Sequence, residues 1–163
     1  HIRMCAASGR RIVEMVWEDL RPELILTRKA FENAIAVAMS MGCSTNAIIH
    51  VIAMARRAGR DIGLEDFDRL SRIVPVLANI RPSGDTYLME DFFYAGGLRA
   101  LMDQLKPMLD LECMTVNGKT VGENIAGAKI HLPDVIHTLN DPISTEPACG
   151  ILTGNLAPRG CVI

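Results

Sequence analysis

The sequence predicts an α/β fold: a mostly helical layer that passes, near the end of the chain, into a β-rich region. Three observations carry this. Apolar residues recur at helical spacing through the first two thirds of the chain. Between residues 31 and 59, two apolar segments flank a small polar break, with no charged residue between Glu32 and Arg56. Beyond Pro107, short apolar runs alternate with Asn-Gly, Gly and Pro turn signals.

Composition narrows the function classes. The 163 residues make one domain's worth of chain, and 49% hydrophobic content is enough for a core. The net charge is −2 and no block of like charge occurs, so nothing points to nucleic acid or to a membrane surface. Aromatics are only 4%, too few for base-stacking platforms. Cys5, Cys43, Cys113, Cys149 and Cys161 are scattered and include no C-x-x-C pair, which indicates neither a disulfide framework nor a zinc site. Reduced thiols and a cytoplasmic location are the expectation, since no secretory leader pattern opens the chain. The start on His1, inside a helical pattern, and the apolar end Cys161-Val162-Ile163 read as cuts within a longer polypeptide.

In chain order, Ile12, Val13, Val16 and Trp17 predict a helix over residues 2–20, ended by Arg21-Pro22. Thr27 is a good N-cap for a helix to Met41. Gly42 can leave that helix through positive φ, Ser44 or Thr45 can cap the next, and Gly59 stops it after Arg56 and Arg57. Both helices are expected to be buried. Residues 64–73 read as a short amphipathic helix, residues 76–80 as a buried strand, and residues 81–84 as a turn. Residues 87–94 look helical, Gly96-Gly97 breaks them, and residues 98–109 resume. Residues 114–121 read as a hairpin with an Asn117-Gly118 turn. Residues 132–147, rich in Pro, Asp and Asn, read as a long connecting loop. Residues 150–153 and 161–163 then read as strands.

The polar break is the first candidate for chemistry. A helix beginning at Ser44-Thr45-Asn46 offers free N–H groups and the positive end of its dipole, which suits a carboxylate. A plain N-cap with a turn-stabilising Asn46 explains the same residues. His50 lies one to two turns further on, within reach of a ligand at the helix start, and equally reads as a structural histidine. Glu90-Asp91 read as ligands or as complements to a helix N-terminus. Cys43 reads as a metal thiolate or as a small buried hydrophobe. Gly118-Lys119-Thr120 resembles the end of a P-loop, but Cys113 stands where that motif needs glycine. His131 and His137 are too loosely spaced for a metal pair.

Together, several segments carry a family resemblance. In order they are Ser8-Gly9-Arg10-Arg11-Ile12-Val13, Ala30-Phe31-Glu32-Asn33-Ala34, Gly42-Cys43-Ser44-Thr45-Asn46 with His50, and Pro82-Ser83-Gly84. Met89-Glu90-Asp91-Phe92 with Ala95-Gly96-Gly97, Gly118-Lys119-Thr120 with Gly122-Glu123-Asn124, and Gly154-Asn155-Leu156-Ala157-Pro158 follow. The chain resembles an internal segment of the dihydroxy-acid, 6-phosphogluconate and sugar-acid (arabinonate, xylonate) dehydratases.

The resemblance implies residues 1–140 as the C-terminal part of an α/β, cluster-binding domain, and residues 141–163 as a connector and first strands of a β-barrel domain. It implies a hydro-lyase that removes water from a 2,3-dihydroxy carboxylic acid to give the 2-keto acid, using an iron–sulfur cluster and Mg²⁺. It further implies a homodimer or homotetramer acting on a small hydroxy acid. The family's Cys-Asp-Lys motif and its base serine are not in these residues, so no catalytic or metal-ligating residue is assigned here, and the isolated chain is expected to be inactive. Ser44, Thr45, Asn46 and His50 are the expected substrate-binding residues. Residues 87–94 resemble the sugar-acid branch more than the branched-chain amino-acid branch, whose dihydroxy-acid dehydratase is the alternative. A catalytically incompetent structural fragment is the other.

Overall fold

The computed structural model describes residues 2–163; His1, placed by the sequence inside the first helical pattern, lies outside them. About half of the chain is helical: α1 (Ile2–Trp17), α2 (Pro22–Ile25), α3 (Arg28–Met41), α4 (Thr45–Arg57), α5 (Leu64–Ser71), α6 (Met89–Tyr94), α7 (Gly97–Gln104) and α8 (Val121–Ile125). Two short strands, β1 (Ile151–Leu152) and β2 (Cys161–Val162), pair antiparallel. This agrees with α/β character.

Helix α3 is the centre. Its Phe31, Ile35, Ala36, Val37 and Met39 are buried, and α4 and α5 pack against it. Thr27 Oγ1 accepts from the Ala30 N–H at 3.2 Å, and Gly42 closes the helix at φ 63°, as the local rules require. Asn33, also buried, exchanges two 2.8 Å hydrogen bonds with the Asp110 backbone. That clamp holds residue 110 against α3 across 77 positions of sequence, and losing it would strand two part-buried backbone groups. On the α5 side, Asp66 accepts from Arg28 and Arg69, while Arg69 also reaches Glu32 at 2.8 Å.

Residues 76–80 run extended and buried beneath the end of α3. The Leu77 and Ala78 amides donate to the Ser40 carbonyl at 3.0 and 3.2 Å, occupying an oxygen that the helix end leaves without a partner. The same run bridges to Ile136 and Ser144. Residues 132–147 therefore do more than connect: Val135 and Ile136 are in the core, because their apolar side chains pair with a distant extended run.

Three further expectations need correcting. Helix α4 is only half-buried: Ile48 and Ala55 are buried, whereas Ile49 and Met54 lie exposed. Helix α1 buries none of its residues and ends at Asp19 in the left-handed conformation, so Pro22 opens α2 instead of ending α1. Arg11 is its main tie to the rest: Nε donates to the Val116 carbonyl at 2.6 Å while the fork binds Glu18. Finally, the expected hairpin is present only as an antiparallel bridge between Met114 and Thr120 around the Asn117-Gly118 turn, and Thr120 has a second role. It caps α8, accepting from Glu123 N–H at 3.2 Å while the Glu123 carboxylate accepts from Thr120 N–H at 2.7 Å.

Candidate functional site

The polar break folds into a tight turn between α3 and α4. Ser44 is the N-cap of α4: its Oγ accepts from the Asn46 backbone N–H at 3.3 Å and from Asn46 Nδ2 at 3.0 Å. The Ser44 and Thr45 amides find no acceptor among the described residues. Two free N–H groups therefore stand at the positive end of a 13-residue helix.

A cavity of about 710 Å³ opens beside this turn, lined by Cys43 and Ser44 together with Asn33, Arg81 and Thr115. Most of its wall is apolar, with Val37, Met41, Met89 and Met102 among the contributors. The turn bearing Arg81 is held against the α3–α4 turn by Ser83, whose Oγ donates to the Gly42 carbonyl. Among its lining side chains, Asn33, Ser44, Arg81 and Thr115 are the ones that can offer hydrogen bonds to hydroxyl and carboxylate groups.

The four expected substrate-binding residues are not brought to one place. Ser44 lines the cavity. Thr45, Asn46 and His50 are exposed and do not. His50 follows Asn46 by one helical turn, so the two share the outer face of α4, and it lies about 7.5 Å along the axis from Thr45. Asn33, Arg81 and Thr115 were not singled out from the sequence. Only Asn33 lies within a quoted motif, and nothing local marks it as a cavity residue.

The remaining candidates take structural roles. Asp91 accepts from the Leu88 N–H at 2.8 Å, closing the start of α6, and Glu90 is exposed. His137 Nδ1 contacts the Asp141 carbonyl at 3.1 Å within a loop turn. Lys119 and Thr120 belong to the turn and cap before α8, with no phosphate-binding loop around them.

An iron–sulfur cluster or Mg²⁺ needs thiolates or carboxylates gathered around one point. Among the described residues, no three His, Cys, Asp or Glu side chains gather in that way. Burial, and then the neighbouring Cys149, push the Cys43 thiol up to about 11, so it is protonated at neutral pH. The residues present do not fit either group, and what the turn offers a substrate is hydrogen bonding.

Residues 1–124 match the family model described as dihydroxy-acid/6-phosphogluconate dehydratase N-terminal. The chain belongs to this dehydratase family. It is 45% identical over 157 residues to a dihydroxy-acid dehydratase of Methanothermobacter thermautotrophicus, covering 96% of this chain and 28% of that protein. An L-arabinonate dehydratase of Rhizobium leguminosarum bv. trifolii is 44% identical, covering 98% of this chain and 28% of its own length. A 6-deoxy-6-sulfo-D-gluconate dehydratase of Pseudomonas putida is 46% identical over 166 residues, covering 100% and 28%. This chain of the dehydratase family spans less than a third of the length of these curated relatives. Their names divide between dihydroxy-acid, L-arabinonate and 6-deoxy-6-sulfo-D-gluconate dehydratases at nearly equal identity. No helix among the described residues is long and apolar enough to cross a membrane.

Proposed function

We propose that this chain is a segment of a hydro-lyase that dehydrates a 2,3-dihydroxy carboxylic acid, with a sugar acid such as arabinonate or xylonate preferred, to the 2-keto acid. The single observation that carries a role for this segment is the start of α4: two free amides and the Ser44 hydroxyl beside a cavity, with no charge nearby in the sequence. In this reading the amides donate to the substrate carboxylate, and Ser44 fixes the donors by capping the helix. Asn46 holds the Ser44 hydroxyl in place, and Thr45 and His50 flank the approach. The carboxylate's charge is then held by fixed dipoles, which favours the enol-like charge that develops when the neighbouring carbon loses its proton.

The rest of the proposal concerns the whole protein. Residues 1–140 form the end of an α/β domain, and residues 141–163 lead into a β-barrel domain. The iron–sulfur cluster and Mg²⁺ are held by residues outside this chain, which alone does not turn over. The protein is cytoplasmic and assembles as a homodimer or homotetramer. A dihydroxy-acid dehydratase of branched-chain amino-acid biosynthesis is the second reading, favoured by the 45% identity to the Methanothermobacter protein.

The test uses the full-length protein, assayed anaerobically on aldonates and on branched-chain 2,3-dihydroxy acids. The expected outcome is a higher kcat/KM on the aldonates; the reverse order selects the second reading. Ser44→Ala and Asn46→Ala should each lower kcat/KM by about tenfold or more, the loss of one hydrogen bond near a charged group. Ser44→Gly retains most of the capping preference, so it separates a local role from helix stability. Unchanged kcat/KM in both Ala variants would remove the substrate from this turn.

A further inference from the structure

Cys43 and Cys149 are 106 residues apart in sequence and meet in the fold, with Cys149 Sγ 3.5 Å from the Cys43 carbonyl oxygen. That contact sets the Cys149 sulfur against the residue that carries the Cys43 sulfur. The contact is built by two chain segments: the α3–α4 turn, and the stretch before β1, where Ala148 lies against Gly42. Cys149 is buried, whereas Cys43 lines the cavity of about 710 Å³ and is reached through it. Cys5 and Cys161 are exposed, and Cys113 is buried beside Asp110 in a separate apolar cluster.

We infer that Cys43 and Cys149 form a dithiol site that exchanges with small-molecule disulfides and closes into an intramolecular disulfide. In the first step the Cys43 sulfur, as thiolate, attacks one sulfur of the small disulfide. A mixed disulfide forms, the small S–S bond breaks, and one small thiol leaves with the proton that Cys43 gave up. In the second step the Cys149 thiolate attacks the Cys43 sulfur. The Cys43–Cys149 bond forms, and a second small thiol leaves with the Cys149 proton. One small disulfide is reduced to two thiols while the protein dithiol is oxidised.

The order of the steps follows from the surroundings. Cys43 is the sulfur with access, and Cys149 is the resolving one. Burial holds both thiols above their ordinary range, and the contact with Cys43 favours the Cys149 thiolate. Cys149 is the titratable group that acts on Cys43, and Arg81 lies on the wall of the same cavity. Closure therefore runs slowly near neutral pH and accelerates about tenfold per pH unit as pH rises toward the thiol values. Once formed, the bond fixes the turn bearing Ser44 to the segment entering β1.

The test treats the full chain with oxidised glutathione at about pH 8.5, the ordinary thiol value. Free thiols are then blocked and the protein is digested with trypsin without reduction. Each cysteine falls in a different tryptic peptide, with Cys43 in residues 30–56 and Cys149 in residues 130–159. The expected product joins those two peptides, two hydrogens lighter than their sum, and is lost on reduction. Cys149→Ser should show no link and should retain glutathione on Cys43; Cys43→Ser should show neither link nor adduct at Cys149. Circular dichroism checks each variant, and the wild-type map decides by itself if a variant does not fold. Three results would each overturn the inference: adducts on Cys5 and Cys161 with no 43–149 link, a link from Cys43 to another cysteine, or a 43–149 link as abundant in urea as in the folded protein.

Discussion

Gly42→Val is expected to lower the stability of the chain by about 2–5 kcal/mol, combining left-handed strain with overpacking. Gly42 holds φ at 63°, a conformation that a β-branched residue enters only as an outlier. A Cβ built on this backbone would overlap the Oγ and Cβ of Ser83, which is held in place by its hydrogen bond to the Gly42 carbonyl. The two contributions can be separated. Gly42→Ala carries the overlap with milder backbone strain, and adding Ser83→Gly removes the overlap together with the Ser83–Gly42 hydrogen bond, whose own cost Ser83→Gly alone measures. The double variant should therefore recover part of the loss, a non-additivity readable in urea midpoints. A midpoint unmoved by Gly42→Ala would mean that the turn does not hold this geometry.

Phe67→Ala should cost about 3–5 kcal/mol, the range for truncating a fully buried aromatic. Phe67 is 0% exposed on the inner face of α5, which packs against both α3 and β1. A loss of that size is a large share of the roughly 5–15 kcal/mol that stabilises a domain. Far-UV circular dichroism in urea measures it. Arg72→Ala on the exposed side of the same region is the control: it removes a surface ion pair with Asp68 and should change stability by about 0.5 kcal/mol or less. Equal midpoints for Phe67→Ala and wild type would remove α5 from the core.

The helices that the sequence revealed best are those with local punctuation. Thr27, Gly42, Ser44 and Gly59 act through the φ/ψ and hydrogen bonds of their immediate neighbours, so residue type alone locates the ends of α3 and α4. Periodicity predicted a helix over residues 2–20, of which Ile2–Trp17 are helical. It could not show what their apolar stripe faces, because periodicity carries no information about partners. Residues 132–147 misled for a related reason: the pairing of Ile136 and Ser144 with the run at 76–80 is set some 60 residues away, while the local composition speaks only of turns.

The candidate site divides the same way. Ser44 as a cap was legible. The exposure of Thr45, Asn46 and His50 was not, since facing inward or outward on α4 depends on which side α3 occupies. Cys149 carries no local signal at all; its meaning comes from Cys43.

The exposed first helix has a spectroscopic consequence. Trp17, the chain's single tryptophan, is 84% exposed on α1, a helix with no buried residue. Its indole is already solvated in the folded protein, so melting of the Phe67–Ile35 core will leave the red-shifted emission nearly unchanged. Tryptophan fluorescence in this chain reports instead on α1, and a blue shift marks the moment when another surface covers that helix.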